Sequence, residues 1–272
     1  MLEVVERRPR GDAHPIPLLF VHGAWHATWC WHDHFLDFFA NNGYRAVGVS
    51  LRGHGASTLS QPLSRCSIAD YVDDVAAVAD AMPTRPVLIG HSMGGFVVQK
   101  YLESRAAPAG VLLASVPPRG AIGTVGKAIQ HHPWLTARGM VTGRTVSNVN
   151  TPRLAREHFF CARTPEQVVT ACAARLREES AHALFLGLMF QEPPRPQRVT
   201  APMLVLGAQN DGLILAKDVH ATARAYGTDA EFFPDMGHDM MLEPGWYAVA
   251  ARIHSWLGSR LAQYSHQKTR YG

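Results

Sequence analysis

The chain has 272 residues, 47% apolar and 18% charged, and its 26 basic and 22 acidic side chains leave a formal net charge of +4. That balance excludes a disordered chain, which has too little apolar surface for burial to offset the entropy of ordering. The length permits one large domain or two small ones; no apolar run is long enough for a bilayer span, and residues 1–8 lack the apolar block of a signal peptide, so a soluble, cytoplasmic protein is expected.

Short apolar runs bounded by Gly and Pro alternate with longer helical patterns, which predicts an α/β protein with a mostly parallel sheet flanked by helices. The predicted strands are 17–21, 45–49, 86–89 and 110–114, all too apolar to leave one face wet, followed after a long interval by 203–206 and 231–233. Ser67 with Asp70 three residues on opens a helix whose apolar positions Val72, Val75, Ala76 and Ala79 share a face. Between the fourth and fifth strands the pattern turns helical, with starts at Thr151-Pro152 and Thr164-Pro165, where a threonine hydroxyl can cap and proline takes the first helical position. Residues 117–200 are therefore expected to form a helical insertion, dividing a core made of 1–116 and 201–272. The insertion is expected to close with the extended stretch Glu192-Pro193-Pro194-Arg195-Pro196.

Cys30, Cys66, Cys161 and Cys172 have neither C-x-x-C spacing nor the density of a disulfide scaffold, and read as buried thiols. The basic residues are scattered, so no nucleic-acid partner is expected. With no His/Glu spacing for a metal and no phosphate loop, no cofactor or metal is implied.

The chemistry begins after the strand at 86–89. Gly90-His91-Ser92-Met93-Gly94 is G-x-S-x-G between an apolar strand and a helical run, the setting in which a strained turn lifts a serine hydroxyl above the sheet edge. Ser92 is the expected nucleophile, placed at a helix N-terminus where free N–H groups can stabilise an oxyanion. Serine needs a base and an orienting carboxylate, and in an open parallel sheet these gather in loops after the strands. Asp211 and His238 occupy such loops. Asp218, Asp229, Asp235 and Asp239 are the other carboxylates that could take the place of Asp211.

With the order Ser92, Asp211, His238, the chain resembles the α/β-hydrolase fold family over nearly its whole length. Phe20-Val21-His22-Gly23 resembles the family's oxyanion loop, Arg52-Gly53-His54-Gly55-Ala56-Ser57 its R-G-H-G-x-S turn, residues 90–95 its nucleophile elbow, and Gly237-His238 its catalytic-histidine loop. The segment from His22 to Trp31 is similar to the opening of the plant methylesterase and hydroxynitrile lyase branch. The resemblance implies an oxyanion hole formed by the backbone N–H groups of Ala24 and Met93. It departs from the lyases at Gly23 and Asp239, where threonine and lysine would be expected, and Ser50 stands where many relatives have aspartate.

Residues 117–200 are expected to act as a lid over Ser92. Trp25, His26, Trp134, Phe159 and Met189 are candidate substrate contacts, and an apolar lid favours an acyl or aromatic ester. The sequence thus points to a serine hydrolase of a small apolar carboxylic ester or thioester. Lyase or perhydrolase chemistry on the same triad, and a slow-turnover ligand receptor, are the alternatives.

Overall fold

The computed structural model describes residues 1–11, 13–190 and 193–271, with backbone alone at 124, 125, 127–129 and 262–271. Seven strands form one sheet: β1 (Glu3–Arg7), β2 (Leu18–Val21), β3 (Ala46–Ser50), β4 (Val87–His91), β5 (Gly110–Leu113), β6 (Met203–Ala208) and β7 (Ala230–Phe233). Their order is β1-β3-β2-β4-β5-β6-β7, with β1 antiparallel to β3 and every other pair parallel.

The period of two along a buried strand decides which residue faces which helix layer. On β2, Leu18 and Phe20 pack with Trp31, Phe35 and Phe39, whereas Leu19 and Val21 face the opposite layer with Val75 and Val97. Trp31, Phe35 and Phe39 come from α1 (Trp29–His32) and α2 (Phe35–Asn41). Each is fully buried and contributes roughly 1.5–3 kcal/mol through removal from water. The other layer holds α3 (Ile68–Asp80) and α4 (Met93–Leu102). As the sequence predicts, Ser67 caps α3 through a capping box with Asp70.

β1 is absent from the predicted elements. Its residues Glu-Val-Val-Glu-Arg carry charges at both ends, and it lies at the sheet edge, where such charges meet solvent and Arg45.

Between β5 and β6 run α5 (Ile122–His131), α6 (Pro133–Thr142), α7 (Pro152–Phe159), α8 (Glu166–Arg175), a π-helical turn (His182–Gly187) and α9 (Leu188–Phe190). The Thr151 hydroxyl caps α7 by accepting from the Leu154 N–H. Thr164 does not cap α8, which starts one residue later behind Pro165. Its hydroxyl instead donates to the buried Glu243 carboxylate at 2.5 Å, a charge-assisted hydrogen bond. Of the expected extended stretch, Glu192 lies outside the described residues, and Pro196–Arg198 forms a 3₁₀ turn. The chain ends with α10 (Ala216–Ala225) and α11 (Trp246–Tyr271). All four cysteines are free and buried.

Candidate active site

Ser92 sits between β4 and α4 with φ 53° and ψ −120°, a left-handed backbone that a non-glycine residue holds at a cost of about 1–3 kcal/mol. Surrounding hydrogen bonds hold it there: Ser92 N–H donates to Leu113 O and Val116 N–H donates to Ser92 O, both at 3.1 Å. Close approach explains the glycines. A Cβ on Gly90 would lie 2.6 Å from Gly94 O, and one on Gly94 would lie 2.3 Å from His22 O and 2.5 Å from Val21 O. The elbow thus packs directly on the backbone of the loop after β2.

That loop is fixed by the His22 ring. Its Nδ1–H donates to Gly23 O at 2.8 Å and its Nε2 accepts from Leu51 N–H at 3.0 Å. Burial holds its pKa well below the ordinary imidazole value, which matches a neutral ring with one donor and one acceptor.

His238, in the loop after β7, is buried, and its Nδ1–H donates to both Asp211 oxygens at 2.9 and 3.0 Å. Asp211, three residues beyond β6, also accepts from the N–H groups of Leu213 at 2.7 Å and Ile214 at 2.8 Å, which fixes its carboxylate. Proton placement on Nδ1 leaves the Nε2 lone pair free, and that atom is buried without a hydrogen-bond partner among the described residues. Burial opposes charging of the ring, but the carboxylates of Asp211 and Asp239 outweigh it and hold the pKa above its ordinary value. Three of the other carboxylates have different partners: Asp218 pairs with Arg119, Asp235 with Arg163 at 3.0 Å, and Asp239 with His26 at 3.0 Å.

A cavity of about 840 Å³, part of it open to solvent, brings Ser92, Ala24 and Met93 together. Met93 is the first residue of α4, so its N–H has no acceptor within the helix. The apolar wall comes from Trp25, Leu135, Leu184, Leu188, Leu213 and Ile214, and His132, Thr136, Asn148 and His158 add polar groups.

The predicted substrate contacts fare unevenly. Trp25 lines the cavity, its Nε1–H donating to Thr145 Oγ1 at 3.0 Å. His26 and Phe159 are instead buried among core residues, Trp134 is 86% exposed, and Met189 is not part of the cavity wall. Trp134 is the second residue of α6 and faces solvent, while Phe159 packs 6.2 Å from the His238 ring and 6.1 Å from Trp25. Sequence reading missed Leu213 and Ile214, although two aliphatic residues in a loop right after Asp211 were a usable signal.

Two buried carboxylates, Glu243 and Glu179, also escaped that reading, and a third, Asp239, was weighed only as a substitute for Asp211 and as a departure from the lyases. Glu243 accepts from the N–H groups of Cys161 and Gly237, at 2.7 and 2.8 Å, and from Thr164. Glu179 meets His54 at 3.0 Å and accepts from Tyr71 Oη at 2.5 Å. Asp239, beside the catalytic-histidine candidate, comes within 4.8 Å of two sets of donors, His26 with Cys172 and His91 with His238. The His26 ring and His91 Nε2–H are engaged with backbone carbonyls and with Asp239, whereas His91 Nδ1, His238 Nε2 and Asp239 Oδ1 are buried without a hydrogen-bond partner among the described residues.

A serine at a strained elbow and a histidine held by an aspartate, on a parallel sheet, define the hydrolase class. The alpha/beta hydrolase family model matches residues 18–251, and the chain belongs to that family of enzymes. A non-heme chloroperoxidase of Burkholderia pyrrocinia is 37% identical over 108 residues, and that match covers 38% of either chain. A monoacylglycerol lipase of Mycolicibacterium smegmatis is 28% identical over 244 residues, covering 85% of this chain and 84% of that one. Plant methylesterases also match. Among solved structures, an esterase of Thermogutta terrifontis superposes with a TM-score of 0.73 at 20% identity, covering 95% of this chain and 93% of that one, which shows the shared fold.

Proposed function

We propose that this enzyme is a cofactor-free serine hydrolase that cleaves a carboxylic ester of a small apolar molecule. The observation that carries the reading is the convergence of Ser92, Ala24 and Met93 on one largely apolar cavity, with Asp211 holding the His238 tautomer that leaves Nε2 free.

In this mechanism Ser92 Oγ attacks the ester carbonyl carbon while His238 Nε2 takes the hydroxyl proton. The N–H groups of Ala24 and Met93 hold the oxyanion; they are backbone groups, so no side-chain change deletes them. His238 then protonates the departing alcohol, leaving an acyl group on Ser92, and a water activated by the same ring releases the acid. Asp211 orients the ring and stabilises its charged form. A thioester would follow the same course with a thiol leaving group.

Residues 117–200 act as a cap over the site. Leu135, Leu184 and Leu188 from this segment line the same cavity as Ser92, which supports that reading. The wall favours an acyl or aryl group over a sugar, with His132, Thr136 and Asn148 available to a polar substituent.

The lyase alternative finds no support at its two diagnostic positions. A Cβ on Gly23 would lie 2.9 Å from both His91 Nδ1 and Ser92 Cβ, and Asp239 is buried against His26 rather than offering a cation beside His238. A relative named as a bifunctional esterase/perhydrolase, from Acinetobacter calcoaceticus and 36% identical over 107 residues, keeps perhydrolysis, with peroxide replacing water on the acyl-enzyme, as the second reading.

A p-nitrophenyl ester panel with acyl chains of graded length tests the proposal. The wild type should turn over short or aromatic esters and Ser92→Ala should not. Equal turnover by both would remove Ser92 from the mechanism.

A further inference from the structure

His26 and His91 look like spare histidines, yet each joins two of the loops that carry the chemistry. His26 Nδ1–H donates to Ala24 O at 2.8 Å, and its Nε2 lies 3.0 Å from Asp239 Oδ2. A backbone carbonyl can only accept, and so can a carboxylate, so this ring is satisfied by donating from both nitrogens. His91 Nε2–H donates to the backbone carbonyl of His238 at 3.0 Å and stands 3.7 Å from Asp239 Oδ1. The two rings meet edge-on at 6.2 Å, and both are buried.

We propose that His26, Asp239 and His91 are positioning residues, forming a buried brace that locks the oxyanion loop, the nucleophile strand and the histidine loop into one reactive geometry. The proposal rests on the Ser92–His238–Asp211 reading. None of the three touches substrate, because none lines the cavity. Ala24 supplies an oxyanion N–H on one side of its residue and the brace holds its carbonyl on the other. His91 immediately precedes the nucleophile, and Asp239 immediately follows His238.

The brace also has an electrostatic side. Burial works against an ionised Asp239, but His26, His91 and His238 outweigh it and hold its pKa below the ordinary carboxylate value. Burial, followed by the His238 charge, pushes the His91 pKa down to about 3, so that ring stays neutral and donates from Nε2 alone. Around them, α8 presents Cys172, whose Sγ is 3.7 Å from Asp239 Oδ2, and Arg175, which pairs with Asp33. From α1, Cys30 faces the same carboxylate, and burial followed by that charge raises both thiols well above their ordinary value. Asp239 is thus the buried anion of the brace, and after burial and Asp211 it is the further charge that favours a protonated His238.

Two substitutions separate geometry from charge. In Asp239→Asn the amide N–H can donate to a neutral His26 ring, so the brace persists while its charge is lost. In Asp239→Ala the brace is cut. With a p-nitrophenyl ester, Asp239→Ala should lower kcat on the order of 100-fold with little change in KM, the scale of a small misplacement of reacting groups. Asp239→Asn should recover most of that loss and move the acid limb of kcat/KM down by about one pH unit, as expected for removal of a nearby opposite charge. Wild-type kcat in Asp239→Ala, or an unmoved acid limb in Asp239→Asn, would overturn the proposal. Imidazole nitrogen NMR of the wild type gives a test that needs no variant: His26 should carry a proton on each nitrogen, and a singly protonated ring would overturn it. The Ser92→Ala control keeps the two claims apart, since turnover by that variant would defeat the triad reading whatever the brace does.

Discussion

Substitution of Gly94 by alanine puts one methyl group between the nucleophile elbow and the oxyanion loop. The added Cβ would lie 2.3 Å from His22 O and 2.5 Å from Val21 O. Both are backbone atoms, so no side chain can rotate away, and the elbow and loop must separate by roughly 1 Å to reach ordinary contact. Misplacement on that scale costs about 100-fold in rate, or about 2.7 kcal/mol of barrier. Overpacking adds roughly 1–3 kcal/mol of lost stability. The assay is kcat/KM on a p-nitrophenyl ester beside thermal melting, with Gly258→Ala as the control. No atom lies within 4 Å of a Cβ at Gly258, a helical position where alanine is expected to be neutral or stabilising by about 0.5–1 kcal/mol. Activity of Gly94→Ala within twofold of wild type would refute the account of why glycine stands there.

Other outcomes follow from the same geometry. Glu243→Ala strips the acceptor from two buried backbone N–H groups and the Thr164 hydroxyl, and should destabilise the fold by about 3–5 kcal/mol, read by denaturant unfolding; a loss under 1 kcal/mol would contradict it. The His54 pKa is raised, because Glu179 outweighs the opposing effect of burial. This pair's contribution to stability is therefore fully present below the unfolded imidazole value and is lost as pH rises through the folded one. Melting curves should show that decline in wild type and a weaker one in Glu179→Gln. His238 must be neutral to act as base, so kcat/KM should rise with pH through a value above the ordinary imidazole pKa. Asp211→Asn should cut kcat by about 10⁴, and a near-normal rate would remove Asp211 from the mechanism.

The six parallel strands and the Ser, Asp and His loops were legible because each depends on local pattern: continuous apolar runs for strands buried on both faces, glycines around a tight turn, and loops at strand ends. The edge strand β1 was not, since a charged, half-wet segment lacks that signature. The cavity wall was only partly legible. Leu135, Leu184 and Leu188 were among the apolar residues of the insertion, but nothing local told them from Trp134 or Phe159, whose direction is set by how α6 and α7 pack. Least legible were Glu179, Glu243 and Asp239, because a buried carboxylate is defined by partners more than 50 residues away, such as Cys161 for Glu243 and His26 for Asp239. Thr164 shows the same limit: its sequence context is that of a cap, and a distant glutamate claims its hydroxyl.

The central claim is that Ser92 becomes acylated within this cavity. Incubation with a fluorophosphonate, followed by digestion and mass mapping, tests it directly. The account predicts a single adduct on Ser92, formed at a rate that falls sharply in His238→Ala; an adduct on another residue, or equal labelling of Ser92→Ala, would contradict it.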